Sequence, residues 1–169
     1  MTPLEKFLHD VSEIHASRAA VDETPYYGSL ETLFNEIGKT LKPRVRCIIH
    51  IKNRGAGLPD GGLFTAEQFD KKSGGQPKEG QLPSRGAVEV KAPREDATAV
   101  ALGKQVTRYL VRYRQVLVTN LRQFILLGHD LDGSPAILEK YELADTEANF
   151  WKAAGHPRKT DELHGTRFR

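Results

Sequence analysis

Two side chains of opposite charge lie close together in a short apolar segment, residues 87–91. Glu89 and Lys91 are two positions apart, and residues two apart in a β-strand point to the same face. Val88 and Val90 then face the core. A carboxylate beside an ammonium group on a strand is often only a cross-strand ion pair. The pattern therefore indicates chemistry only where other polar groups converge on it.

A further carboxylate is Asp60, in the segment GLPDGG. Proline fixes the start of a short strand predicted to begin near Leu58, and the glycines let other backbone or a ligand come close. If this strand neighbours the one that carries Glu89, two carboxylates converge beside Lys91. Carboxylate oxygens suit hard divalent cations such as Mg²⁺. Such a metal would polarise a phosphate and activate a water, and the lysine would orient that water or stabilise the developing charge.

Several helices and strands must position these residues. Apolar periodicity predicts helices over residues 3–18, 29–39 (with Ser29 as the cap) and 97–114. It predicts strands over 44–51, from about 58, and over 86–93, 116–120, 123–127 and 135–143. The order helix, strand, strand, strand, helix, strand, with an added C-terminal hairpin, predicts an α/β fold with a mixed sheet flanked by helices.

The remaining segments divide the chain. Residues 1–28 form an N-terminal helix and linker, 29–145 a core, and 146–169 a tail or linker with one short helix and a frayed end. Residues 70–86 have almost no apolar content and are predicted to be a flexible loop outside the core.

Composition and charge bound the function. The single cysteine, Cys47, excludes a disulfide framework and a cysteine-based zinc site. No apolar run approaches the roughly 18 residues of a membrane span, and the charged N-terminus is unlike a signal peptide; we expect a cytoplasmic domain.

Net charge is −5 over residues 1–36, +10 over 37–129 and −2 over 130–169. The basic central block favours a polyanionic partner, although a solvated basic surface would look the same.

Basic side chains cluster in two places. Lys104, Arg108 and Arg112 form a stripe along the helix over 97–114, and Gln105 lies between this stripe and the predicted buried face. No acidic residue occurs between positions 97 and 129, which favours a phosphate-tracking surface. A second cluster stands just before the Asp60 turn, where it would touch the scissile strand or form a solvated loop: Lys52, Asn53 and Arg54.

The pattern Pro59-Asp60 followed by Glu89-Val90-Lys91, in this order of elements, resembles the PD-(D/E)xK nuclease superfamily. The resemblance implies a restriction-endonuclease-like core and Mg²⁺-dependent phosphodiester hydrolysis, with Mn²⁺ as a substitute. It assigns metal binding to Asp60, Glu89 and the Val90 carbonyl, and it makes Lys91 the catalytic lysine.

Many members of that superfamily also carry a glutamate on the first core helix. Glu31 and Glu36 both border the apolar face, so periodicity does not choose between them. The setting YYGSLETLF is closer to the superfamily's glutamate context and favours Glu31. The pair Gln105 and Tyr109 resembles a Gln-xxx-Tyr motif that supports the site and contacts nucleic acid.

A wider resemblance, over residues 33–65, 86–93 and 105–128, is to the N-terminal nuclease region of large bacterial restriction–modification polypeptides. It implies a DNA endonuclease domain linked covalently to an adenine-specific methyltransferase and in some cases a motor. Cutting both strands usually requires two active sites, which favours a dimer. The alternatives are a non-catalytic DNA-binding module on the same fold, or a resolvase-like nuclease for branched DNA.

Overall fold

The computed structural model describes residues 1–17, 23–49, 59–72 and 75–168. In this part of the chain the helices are α1 (Pro3–Ala16), α2 (Tyr27–Gly38), α3 (Ala97–Ala101), α4 (Lys104–Tyr113), α5 (Glu147–Ala154) and α6 (Pro157–Phe168). The strands are β1 (Val45–Ile49), β2 (Gly61–Thr65), β3 (Ala87–Val90), β4 (Val116–Thr119), β5 (Gln123–His129) and β6 (Pro135–Glu142).

The strands form one mixed sheet in sequence order, β1-β2-β3-β4-β5-β6. Strands β3 and β4 are parallel, whereas the other neighbours are antiparallel. A parallel pair needs a crossover connection, and α3 and α4 supply it. The expected α/β fold with a mixed sheet flanked by helices is confirmed. Among the described residues, no helix is long and apolar enough to cross a membrane.

Helices cover both faces of the sheet. One core cluster joins α1, α2 and α5 to Val88 and Val90 of β3. The other joins α3 and α4 to Ala87 of the same strand. Because side chains alternate along a strand, Glu89 shares the α4 face with Ala87. The predicted buried face of α4 is confirmed by four buried side chains: Val106, Tyr109, Leu110 and Tyr113.

The single helix predicted over residues 97–114 is wrong, because it is two helices. α3 ends at Ala101, and α4 begins after Gly103, whose backbone is extended (φ −79°, ψ 165°). Leu102 is 69% exposed, so its side chain gains no packing energy that would keep the helix continuous across the break. Glycine adds the low helix propensity that makes such a break easy.

The prediction that residues 70–86 take no part in the core is wrong for the described part of this loop. The Gln68 side chain donates to the Leu82 carbonyl at 2.7 Å and accepts from the Ser84 amide at 3.1 Å. Pro83 is buried, and Leu82 packs against the α3–α4 cluster. Composition could not predict this packing, because only two apolar residues of a mostly polar segment, Leu82 and Pro83, take part in it.

The C-terminal region is also more ordered than expected. In place of one short helix and a frayed end it forms α5 and α6. Phe150 of α5 is fully buried, and the Phe168 ring of α6 lies 5.0 Å from that of Phe124 and 5.4 Å from that of Tyr141. The polar sequence of α6 gives only a weak amphipathic pattern, so tertiary contacts hold this helix in place.

Helix α2 begins at Tyr27, two residues before the predicted cap Ser29. A 3₁₀ turn over Thr24–Tyr26 leads directly into the helix, so the chain needs no separate cap there. The described part of β2 begins at Gly61, whereas Leu58 lies outside the described residues.

The close approach of Gly86, just before β3, to the chain before β4 can be tested. Gly86 has φ +108°, and a Cβ there would lie 2.4 Å from the Gln115 carbonyl oxygen. We expect Gly86→Ala to lower the free energy of unfolding by about 3 kcal/mol through strain and displacement of β3. Gly80 also has a positive φ (+75°) but has open space around it, so Gly80→Ala should cost about 1 kcal/mol. Urea denaturation measures both, and equal losses would contradict this explanation.

Candidate functional site

Asp60 and Glu89 meet where the β2–β3 pairing ends. Gly61 of β2 pairs with Val88 of β3. Because the two strands are antiparallel, Asp60, the residue before Gly61, lies beside Glu89, the residue after Val88. Asp60 Oδ2 accepts a hydrogen bond from the Val90 amide at 2.7 Å. A Cβ on Gly61 would lie 2.8 Å from the Ile48 carbonyl oxygen. Glycine is thus required here because the β1 backbone passes close by.

The other oxygen of Asp60 is also occupied. The Tyr27 hydroxyl donates to Asp60 Oδ1 at 2.7 Å. Burial raises the pKa of Tyr27, and the hydrogen bond to Asp60 raises it further, so the phenol keeps its proton and acts as the donor. Each oxygen of Asp60 therefore accepts one hydrogen bond, one from a side chain and one from the backbone.

Glu89 and Lys91 form a largely buried ion pair. Glu89 Oε1 lies 2.8 Å from Lys91 Nζ, and the two side chains are 3% and 23% exposed. Glu89 Oε2 is buried and has no hydrogen-bond partner among the described residues. Burial raises the pKa of Glu89 to about 7; Lys91 opposes the rise, and Asp60 adds to it.

Lys91 keeps its charge in this environment. Burial alone would lower the pKa of its ammonium group, but the hydrogen bond to Glu89 and the nearby carboxylates outweigh burial and raise it. The group is therefore an ammonium donor to Glu89, whose own pKa is raised by burial. Two neighbouring groups with shifted pKa values are typical of functional sites.

Helix α4 packs through Tyr109 on the face of β3 that carries Ala87 and Glu89. Gln105 Nε2 donates to the Tyr109 hydroxyl at 3.0 Å. Burial raises the pKa of Tyr109, and the charge of Glu89 raises it further. The stripe over Lys104, Arg108 and Arg112 is exposed on the same helix. Lys52, Asn53 and Arg54 lie outside the described residues.

The two glutamates of α2 point in different directions. Glu31 Oε2 accepts from the Ile49 amide at 3.0 Å, and Ile49 pairs with Gly61, the neighbour of Asp60. Glu36 instead forms a surface ion pair with Lys39. Glu31 is therefore the one that faces the sheet, where its described contact satisfies the backbone of β1. Its role as a metal ligand stays a prediction.

One site residue, Tyr27, was not singled out from the sequence. It stands before the apolar periodicity of α2 becomes visible and belongs to no repeating pattern, so only the folded chain shows that its hydroxyl contacts Asp60.

The donor set suits a hard divalent cation that also takes water or substrate oxygens. Among the described residues, no group of three or more His, Cys, Asp or Glu side chains could hold a metal. Asp60 and Glu89 contribute two carboxylates, and no described residue hydrogen-bonds to Glu89 Oε2. Mg²⁺ commonly binds through one or two carboxylates and completes its shell with water and phosphate oxygens. The residues present therefore fit Mg²⁺, while the Val90 carbonyl as a ligand stays a prediction.

The six-stranded mixed sheet flanked by helices is consistent with a restriction-endonuclease-like core. A chain in the cryo-EM structure of a DrdV–DNA complex has a similar fold, with a TM-score of 0.59. The two chains are 16% identical, and the alignment covers 90% of this chain and 94% of that one. At this identity the likeness shows the fold alone. No protein-family model matches the sequence, and a search of curated proteins found no match.

The raised pKa of Glu89 predicts how stability depends on pH. The unfolded chain releases this proton near the ordinary glutamate pKa, whereas the folded chain holds it to about pH 7. Between these values the folded state binds more protons, so the metal-free protein should lose stability as pH rises, by up to about 3 kcal/mol. Urea denaturation in EDTA from pH 5 to 8 measures this loss.

Glu89→Gln should flatten that dependence because glutamine does not titrate. Glu79→Gln, which changes an exposed loop glutamate, should leave it unchanged and serves as the control. A Glu89→Gln protein with the wild-type pH dependence would show that another group causes the loss.

Proposed function

We propose that this chain is a Mg²⁺-dependent DNA endonuclease domain that hydrolyses phosphodiester bonds. The observation that carries the proposal is the buried acceptor Glu89 Oε2, which has no partner in the described part of the chain and lies beside Asp60 and Lys91. A buried polar atom without a hydrogen bond costs free energy, and such atoms are rare in native proteins. A bound cation removes the cost. Mn²⁺, which accepts the same oxygen ligands, is expected to substitute.

Each residue has a distinct role in this proposal. Asp60 and Glu89 would hold Mg²⁺, which when bound supplies Lewis-acid polarisation of the phosphate and a water of lowered pKa. The Lys91 ammonium group donates one N–H to Glu89. Its other N–H donors would orient the attacking water or stabilise negative charge on the phosphate. Gln105 is tied to Tyr109 and is exposed beside the site, where it would position the DNA strand.

The choice of DNA as substrate is supported by the surface next to the site. The exposed stripe of Lys104, Arg108 and Arg112 runs along α4, which packs through Tyr109 on the sheet face that carries Glu89. Lysine and arginine neutralise phosphates and dominate non-specific DNA affinity. The fold shared with a chain in the DrdV–DNA complex agrees with this choice.

The wider setting of the domain is inferred from the sequence resemblance. We infer that it belongs to a restriction–modification enzyme, with a methyltransferase and in some cases a motor in the same polypeptide. We also infer that two copies act together for double-strand cleavage. A purely DNA-binding module would keep the α4 stripe but has no use for a buried carboxylate pair with a lysine.

Plasmid cleavage tests the proposal. Wild type should nick or linearise supercoiled plasmid in Mg²⁺ or Mn²⁺ and not in EDTA, whereas Asp60→Asn and Lys91→Met should lose at least about 100-fold in rate. A second Asp-x-Lys pattern, exposed in the loop after β2, provides matched controls: Asp70→Asn and Lys72→Met should cut like wild type.

Three results would change the conclusion. Cleavage retained by Asp60→Asn or Lys91→Met would refute the assigned site. DNA binding by wild type without cleavage in either metal would support the non-catalytic alternative. A strong preference for four-way junctions over linear duplex would support the resolvase-like one.

The basic stripe predicts a salt-dependent contribution to DNA affinity. The double variant Lys104→Ala/Arg108→Ala should weaken duplex binding about 10-fold and reduce the slope of log K against log salt by about 2, because two phosphate contacts are lost. Fluorescence anisotropy in EDTA at several salt concentrations measures both. Lys152→Ala/Arg158→Ala removes two exposed charges from α5 and α6 and should change neither; an equal effect there would mean that only net charge matters.

A further inference from the structure

A tyrosine outside the E-x-K and Pro-Asp patterns touches the proposed metal-binding carboxylate. Tyr27 is the first residue of α2 and is 6% exposed. Its hydroxyl lies 2.7 Å from Asp60 Oδ1, across a sequence separation of 33 residues. The 3₁₀ turn before α2 directs this ring toward the end of the β2–β3 pairing.

Asp60 is held from two sides by two different elements. The Val90 amide of β3 binds Oδ2, and the Tyr27 hydroxyl of α2 binds Oδ1. The terminal torsion of an aspartate is broad when nothing restrains it, and one hydrogen bond fixes only one oxygen. The second donor fixes the plane of the carboxylate. Each oxygen keeps a further lone pair for a cation.

We infer that Tyr27 is a positioning residue for the metal site, whose hydroxyl holds the Asp60 carboxylate in the orientation that binds the cation. This inference rests on the proposed function. Hydrogen bonds to a ligating carboxylate typically change metal affinity by 10- to 100-fold when they are removed.

The inference predicts that metal affinity changes while the fold is kept. Tyr27→Phe keeps the ring and its packing and removes only the donor, so we expect Mn²⁺ to bind about 10-fold more weakly. In cleavage assays the Mn²⁺ concentration for half-maximal rate should rise by a similar factor, and the rate at saturating Mn²⁺ should stay close to wild type. The neighbouring Tyr26 is equally buried and packs against Trp151, so Tyr26→Phe is the matched control.

Isothermal titration of the full chain with MnCl₂ is the decisive experiment, with thermal melting in EDTA for every variant. The inference holds if Tyr27→Phe melts cooperatively near wild type and binds Mn²⁺ more weakly, while Tyr26→Phe binds like wild type. It is overturned if Tyr27→Phe binds like Tyr26→Phe, or if Tyr27→Phe does not melt cooperatively, since its role would then be in folding.

Asp60→Asn and Glu89→Gln separate this inference from the proposed function. Both should bind Mn²⁺ far more weakly than wild type. If wild type binds no Mn²⁺, or if these two variants bind it as wild type does, the metal site itself is wrong and both proposals fall. If they lose binding and Tyr27→Phe does not, only the role of Tyr27 is wrong.

Discussion

The Glu89 carboxylate is buried in the middle of a sheet, and among the described residues only one of its oxygens has a partner, the Lys91 ammonium group. The other polar groups of the site lie around this carboxylate. Burial disfavours its charge and raises its pKa to about 7, whereas Lys91 alone does not restore the ordinary value. A second negative group, Asp60, lies alongside and raises the pKa of Glu89 further. Two close carboxylates and a buried oxygen without a partner among the described residues all oppose stability, and the cation proposed here would relieve that cost.

The sheet creates the site by ending one of its own pairings. Among the described residues, β2 and β3 pair at Gly61 and Gly62. The next contact between the two strands is made by a side chain, because Asp60 accepts a hydrogen bond from the Val90 amide. This contact holds the Asp60 carboxylate beside Glu89. The same contact satisfies a backbone donor of β3 and orients a functional carboxylate.

Local patterns predicted the parts of this arrangement that depend on neighbours in sequence. The two-residue period of a strand predicted that Glu89 and Lys91 share a face, and helical periodicity predicted the buried side of α4. The contact between Tyr27 and Asp60, the packing of Leu82 and the helix α6 were not predictable in this way. Each depends on residues distant in sequence, and none of them repeats with a period. The roles assigned to Asp60, Glu89 and Lys91 stay predictions that come from the superfamily resemblance.

A buried arginine ties the turn after β3 to the segment that precedes α5. Arg122 is buried, and its guanidinium donates to the carbonyl of Pro93 at 2.8 Å and to that of Asp145 at 2.6 Å. Asn120 donates to the Glu95 carbonyl in the same turn at 2.8 Å. One buried cation therefore joins the chain leaving the Glu89 strand to the chain that enters α5. The turn that follows Lys91 thus depends on contacts between residues that are distant in sequence, because loss of the guanidinium would leave buried carbonyls without their donor.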